Sequence, residues 1–433
     1  MLRIIIILFS IIFFHKNAFA VSLQQALLQA YKNNPVLNAE RENIEVSKQD
    51  LKISQSEFLP TVTLSGSKSQ ENTDKLTNRS GANVSTTDVD PKKQTVTIEQ
   101  KLFEGFGGIA DIEKNKIGLV LAEAKLLKKE QEILYEAIEA YSGLILSKEK
   151  LNINQKNVNL LERQVETDQA RLESGIITVT DLAQSESSLA GAKAKFIEAK
   201  NEEVTAKLIY QKVIGPIGET NNLEKNLKIN FDIPKNLNKA IEISKKNNPD
   251  LIIAKLEYQQ SEQDVKIARS DLSPSAKLSI TSSKTDDLSS TYDEQDKETI
   301  TATISWPIFQ GGKNTASLNK SKKLKNRKKL LLENALKTND TNVASAWSNL
   351  QSSLSLLESV RSQVKAAEIA NEGITLEYES GSSGRSTLDV IQSSSILLDS
   401  EISLANFERN YILAQFKLLQ SVGLLNSSYL KLQ

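Results

Sequence analysis

Few side chains in this 433-residue chain are arranged to do chemistry. Asp286 and Asp287 stand side by side, and paired carboxylates are what acid–base hydrolysis requires. They lie in a polar stretch with no aromatic platform nearby, which reads as a loop rather than a catalytic pair. The run KKLKNRKK, Lys322–Lys329, has the charge to hold nucleic acid or anionic lipid. Yet Lys+Arg and Asp+Glu number 54 each, whereas a nucleic-acid binder should be basic. A solvated helix face is the simpler reading of that run, and no nucleic-acid partner is expected. Cysteine is absent, His15 is the only histidine and Met1 the only methionine. Thiol nucleophiles, histidine bases and ordinary zinc sites therefore lack their residues. The expectation is a protein without catalytic residues, cofactor or metal, and not an enzyme.

Residues 1–20, MLRIIIILFSIIFFHKNAFA, pair a short positive start with an apolar run and an Ala-Phe-Ala cleavage site. That is the pattern of a secretory signal peptide. No other segment reaches the ~18 uninterrupted apolar residues of a membrane-spanning helix.

The rest is a tandem repeat. LQQALLQAYKNNPVL (Leu23–Leu37) matches LNKAIEISKKNNPDL (Leu237–Leu251) at an offset of 214. The glycine-rich QKLFEGFGG and SWPIFQGG match at 206, counted from Phe103 to Phe309. Lengths differ between copies in only two places, a polar stretch between paired strands and the segment after Gly175 and Gly381. Exposed loops tolerate such changes and packed elements do not. The first repeat is expected over 21–215, with a helix, strands 61–70 and 94–103, a long helix 108–174 and a return helix 180–215. A linker 216–236 follows. The second repeat, 237–423, has a helix, strands 275–283 and 298–308, a long helix 312–380 and a return helix 387–423. A tail, 424–433, completes the chain. No proline falls between Gly108 and Gly215 or after Pro307, as uninterrupted helices require.

Leu151, Val158, Val165 and Leu172 recur every seven residues, as do Leu357, Val364, Asn371 and Tyr378. Seven-residue spacing specifies a coiled-coil seam. At 1.5 Å per residue the long helix would reach roughly 100 Å. A soluble coiled-coil rod, adaptor or tether would show the same seam. The strands argue otherwise. Ile300, Ala302, Ile304 and Trp306 alternate with Thr299, Thr301, Thr303 and Ser305; Val96, Ile98 and Leu102 alternate with Thr95, Thr97, Glu99 and Lys101. Short strands that are apolar on one face and Thr/Ser on the other are the mark of an outer-membrane barrel. Four strands cannot close one, because the smallest membrane barrels have about eight. Unpaired edges are not tolerated in lipid, so the chain must oligomerise. Gly105, Gly107, Gly108, Gly311 and Gly312 mark where strand gives way to helix, and glycine supplies the backbone freedom for that turn.

The duplicated NNP, the strand ends LFEGFGG and PIFQGG, and the tips ESGIITVTDLAQSE and YESGSSGRSTLDVIQS together resemble the TolC family of outer-membrane export channels. The resemblance implies a membrane β-barrel joined to an α-helical coiled-coil barrel, formed by a homotrimer with four strands and long helices per subunit. It implies a place in the outer membrane with the helices in the periplasm. It also implies partners: a periplasmic membrane-fusion adaptor, an inner-membrane pump or ABC exporter, and outer-membrane lipid. The implied function is passive conduction of small molecules or proteins in efflux or type I secretion. By motif, Thr180, Asp181, Tyr378 and Arg385 map to the periplasmic gate, and Asp389 to an acidic ring at the pore entrance. The second acidic position of the family is Gln392 here. The second tip is also two residues longer, which leaves Ser383 at the ungapped position of Arg385. Read by themselves, Asp181 and Asp389 are helix-capping carboxylates, Tyr378 is a seam residue and Arg385 a solvated loop charge.

Overall fold

A computed structural model describes residues 21–74, 76–77, 79–84, 87–217, 223–225, 232–289, 291–380 and 384–432. The expected signal peptide, Gly381 and Ser383 lie outside the described residues. The elements run α1 (Leu23–Asn33), α2 (Pro35–Ser56), β1 (Thr61–Lys68), β2 (Glu71–Thr73), β3 (Leu76–Thr77), β4 (Asn83–Val84), β5 (Thr87–Val89), β6 (Lys92–Glu104), α3 (Gly107–Glu173) and α4 (Val179–Val213). They continue α5 (Leu237–Asn247), α6 (Pro249–Ser270), β7 (Ser275–Asp286), β8 (Glu294–Ser305), α7 (Lys313–Ser380) and α8 (Thr387–Ser421). No described helix is long and apolar enough to cross a membrane.

Each repeat was expected to begin with one helix and instead begins with two. The NNP motif divides them. Asn34 accepts the N–H groups of Val36 and Leu37 on its side-chain oxygen, at 2.9 and 3.2 Å. Asn248 does the same for Asp250 and Leu251, at 2.9 and 3.4 Å. The asparagine caps the new helix, and the proline fits its first turn because the N–H it lacks has no partner there.

The chain forms two compact units. One comprises residues 39–129 and 245–341 and holds the sheet. Its strands lie in the order β1-β6-β7-β8, all antiparallel. Val62, Ile98, Ile280 and Ile300 stand in one row across the four strands, and Thr63, Thr97, Thr281 and Thr299 in the next. Successive residues of a strand face opposite sides, so this register gives one apolar and one hydroxyl-rich face. The apolar face is open, with Leu64 77% and Ile304 79% exposed. One expectation fails at a β-bulge. The register shifts between Lys101 and Phe103, so Phe103 rather than Leu102 joins the apolar set, opposite Ala276.

Strand limits also differ from the sequence reading. β8 ends at Ser305, leaving Trp306, Pro307 and Ile308 outside it, since proline has no N–H for a ladder. The stretch between β1 and β6, read as a polar loop, carries the short ladders β2–β5 and β3–β4. Asp286 closes β7, while Asp287 has φ 57° and accepts the N–H of Asp90 at 2.6 Å, a turn role. The basic run lies on α7, where Lys328 and Lys325 reach Glu257 at 2.7 Å and Glu262 at 3.8 Å on α6.

The strand-to-helix switch uses its glycines in two ways. In the second repeat Gly311 and Gly312 have φ of 60° and 81°. In the first, the left-handed residues are Gly105 and Phe106, at 60° and 66°. Gly107 and Gly108 are already helical, and there the constraint is space. A Cβ on Gly107 would lie 2.2 Å from Ser270 Oγ, and one on Gly108 2.9 Å from the Phe58 ring.

The other unit comprises the described residues within 21–38, 130–244 and 342–432. A core of Ala240, Val343, Ala346, Leu350, Ala414, Leu418 and Val422 joins α5, α7 and α8. Tyr141 is fully buried and donates its hydroxyl to the carbonyls of Val21 and Glu224, at 2.7 and 3.1 Å. Val158, Leu161 and Ala192 form the seam between α3 and α4. Leu357, Val364 and Tyr378 of one seven-residue row are buried, as are Val360 and Ala367, themselves seven residues apart.

Gly105 combines both constraints. A Cβ there would lie 2.5 Å from Ser273 Cβ and 2.9 Å from the Ser270 carbonyl, at positive φ. Gly105→Ala should cost on the order of 1–3 kcal/mol. Gly66→Ala meets nothing closer than 4.0 Å and should cost less. Thermal unfolding of the two purified variants checks the order; equal melting temperatures would contradict it.

Candidate functional site at the hairpin tips

The α3/α4 and α7/α8 hairpins end in matching structures. Thr178 caps α4 and Ser386 caps α8, each in extended backbone. Asp181 stands three residues into its helix, and its Oδ2 accepts Thr178 N–H at 2.9 Å and Thr178 Oγ1–H at 2.7 Å. Asp389 does the same with Ser386, at 2.8 Å for both bonds. The threonine and serine oxygens in turn accept the amides of Asp181 and Asp389 at 3.3 Å, which completes two capping boxes. Hydrogen bonds from Thr178 and Ser386 hold both carboxyls below the usual carboxylate range. Arg385 adds to this at Asp389 as a neighbouring positive charge.

The residues assigned to the gate do not all meet. Thr180 is exposed in the first turn of α4. Arg385 donates Nε to Glu377 at 2.7 Å, so its ion pair stays within its own hairpin. Asp181 turns back to Thr178. Only Tyr378 crosses between hairpins. Its hydroxyl lies 2.7 Å from Asp168 Oδ1 on α3 and 3.0 Å from Thr387 Oγ1 on α8. Arg171 of α3 stacks over the Tyr378 ring, 4.1 Å from its centroid, and donates to the Tyr378 carbonyl at 3.1 Å. That places a cation at the C-terminal end of α7, where helix carbonyls lack partners. Burial raises the Tyr378 phenol above its ordinary value, so its hydroxyl stays protonated at neutral pH.

Asp168 and Arg171 were not singled out in the sequence. Asp168 is fully buried, and besides Tyr378 it accepts Ser185 Oγ at 2.5 Å and Gln164 Nε2 at 3.0 Å. The only local signal is a charged residue flanked by seam positions. Among the described residues no group of three or more His, Cys, Asp or Glu is arranged to hold a metal ion.

Four antiparallel strands with an open apolar face, long hairpins and a duplicated plan can now be set against known proteins. A family profile described as outer membrane efflux protein matches residues 26–215 and 240–424. The chain belongs to the outer membrane efflux protein family. This is the TolC family of the sequence reading, and its two matched segments are the two repeats. The chain is 25% identical to the outer membrane efflux protein BepC of Brucella suis, over 96% of this chain and 88% of that one. It is 20% identical to the alkaline protease secretion protein AprF of Pseudomonas aeruginosa, over 96% and 87%. The CmeC outer membrane channel of Campylobacter jejuni superposes with a TM-score of 0.81 at 18% identity, covering 93% of this chain and 85% of that one. CmeC supports the fold alone. Family membership gives the function at its coarse level, an efflux or secretion channel of the outer membrane, a transporter rather than an enzyme.

The caps make a pH prediction. Carboxyls held below their unfolded values add stability that is complete above ~pH 4 and is lost as pH falls through the lowered values. An Asp181→Asn/Asp389→Asn double variant, which removes the titrating groups, should therefore lose less melting temperature than the parent between pH 7 and pH 2.5. Equal losses would show that ionisation of the cap carboxylates does not contribute to stability.

Proposed function

We propose that this chain is the outer-membrane tunnel of a three-part efflux or type I secretion machine. It conducts passively, and a periplasmic membrane-fusion adaptor with an inner-membrane pump or ABC exporter delivers the cargo. The observation that carries this reading is the sheet. Its outer strands, β1 and β8, each pair on one side only, and its apolar face is open. Such a sheet is stable in lipid only when other copies close it. Because β1 and β8 run in opposite directions, β8 of one copy continues antiparallel into β1 of the next. Three copies would make a twelve-stranded barrel. BepC is an efflux protein by name and AprF a protease secretion protein, so both small molecules and proteins remain cargo classes.

Thr180, Asp181, Tyr378 and Arg385 form the periplasmic gate in this reading, and Asp389 the acidic ring at its entrance. Support comes from their position where the two hairpins turn, with Tyr378 bridging them. Gly105, Gly107, Gly108, Gly311 and Gly312 mark the passage from barrel to tunnel.

The purified protein should form a detergent-stable oligomer and give discrete ion currents in planar bilayers. A monodisperse monomer in detergent-free buffer would sink the proposal. In the same bilayers, Arg385→Ala should raise conductance and Asp389→Asn should weaken block by multivalent cations. Unchanged conductance removes Arg385 from the gate; unchanged block leaves Asp389 as a cap only.

A further inference from the structure

The two faces of the sheet differ in charge as well as in polarity. The hydroxyl-rich face carries Lys93, Glu99, Lys101 and Glu104 on β6, Lys277 on β7 and Lys297 on β8. Every other residue on it is Thr, Ser or Gln. Four lysines against two glutamates leave a surplus of positive charge. Two of the lysines are neutralised. Lys277 reaches Glu99 at 3.0 Å, and Lys101 reaches Glu104 and Glu57 at 3.2 and 3.4 Å. The surplus therefore sits on Lys93 and Lys297, both exposed. Among the described residues neither makes an ion pair.

Strand alternation keeps them unpaired. Asp296 and Glu298 flank Lys297 in the sequence, but successive residues face opposite sides, so both acids lie on the face of Ile300. Across the ladder, Lys93 stands between Ser67 and Thr285, and Lys297 opposite Ser283. No residue directly opposite either lysine is an acid. Both lie toward the loop end of the sheet, since β6 starts at Lys92 and β8 at Glu294 and each strand then runs on toward its long helix.

In a closed barrel the apolar face meets lipid and the hydroxyl-rich face lines the lumen. Twelve strands ~4.8 Å apart, tilted by about 40°, give a barrel roughly 24 Å across between backbones. The four-carbon stem of a lysine carries its ammonium ~6 Å inward. The charge then stands roughly 6 Å from the axis, inside the Debye length of ~8 Å at physiological salt. Low-dielectric walls focus such a field along the passage.

We propose that Lys93 and Lys297 make the loop end of the barrel an electrostatic filter that favours anions and draws in small solutes bearing carboxylate or phosphate groups. The inference rests on the channel reading above and adds a charge selectivity to it. Its sign is opposite to that of the Asp389 ring, so the two sites oppose each other in the selectivity of the whole channel.

The test is the reversal potential of full-length protein in planar bilayers under a KCl gradient. Lys93→Thr/Lys297→Thr should lower the chloride-to-potassium permeability ratio several-fold. Lys93→Arg/Lys297→Arg keeps the charge and should keep the parent ratio. Glu99→Gln frees Lys277 and should raise the ratio. Lys92→Thr/Lys284→Thr removes two charges from the opposite face and should leave it unchanged. Millimolar pyrophosphate should reduce current through the parent more than through the Lys93→Thr/Lys297→Thr channel. A parent ratio in that double variant overturns the filter. An equal fall on removing Lys92 and Lys284 also overturns it, because the effect would then belong to diffuse surface charge. If the double variant does not assemble, the single Lys93→Thr and Lys297→Thr channels decide, each expected to give part of the fall. Variants that conduct with unaltered selectivity overturn the filter alone. A parent protein that assembles but never conducts overturns the channel reading, and the filter with it.

Discussion

A peptide group in hydrocarbon has no water to bond, so every strand edge inside a membrane needs a partner. In this chain β1 and β8 stand at the ends of the sheet, and the face between them is apolar and open. Most of the molecule answers to that constraint. The repeat supplies two hairpins rather than one, and β6 of the first pairs β7 of the second. The seam between repeats is therefore itself a ladder. The register keeps Val62, Ile98, Ile280 and Ile300 on one side, since a slip of one residue would turn a whole strand's apolar set over. Even the bulge serves this, because it brings Phe103 to the apolar face just before the chain leaves the sheet.

Leaving the sheet is the second problem. A strand has a period of two and a coiled-coil helix one near 3.5, and the backbone must change between them within a few residues. The two repeats solve this with the same left-handed pair but different residues, Gly105 with Phe106 and Gly311 with Gly312. The additional glycines of the first repeat answer to crowding by Phe58 and Ser270 instead. The duplicated motif therefore conceals two distinct physical demands. Once in the helix, the chain is held by narrow apolar seams and by polar groups paired inside them, with Asp168 the most deeply buried acid of the hairpins.

Charge near the tips divides into two kinds. The half-buried carboxylates Asp181 and Asp389 satisfy free amides at the starts of α4 and α8, a task local to four residues. Asp168, Arg171 and Tyr378 connect helices whose residues are some two hundred positions apart in the chain. Local capping gives each hairpin a defined end; the distant contacts join one hairpin to the other.

Whatever repeats or alternates is legible along the chain. Offsets between copies located the elements, period two and period seven named them strand and coiled coil, and the lack of Cys and of any His beyond His15 removed whole classes of chemistry. The capping boxes were also legible, since Thr178–Asp181 and Ser386–Asp389 are three-residue signals. Other features depend on what lies opposite and become visible only in the folded chain. The NNP break required seeing Asn34 and Asn248 turned onto the following amides. The bulge at Leu102 appeared only against β7. The partner of Tyr378 could not be read at all, because Asp168 sits within α3, before its end at Glu173, and takes part in no cap or turn. Hydrogen bonding depends on distance in space, and nothing along the chain marks residues 168 and 378 as neighbours.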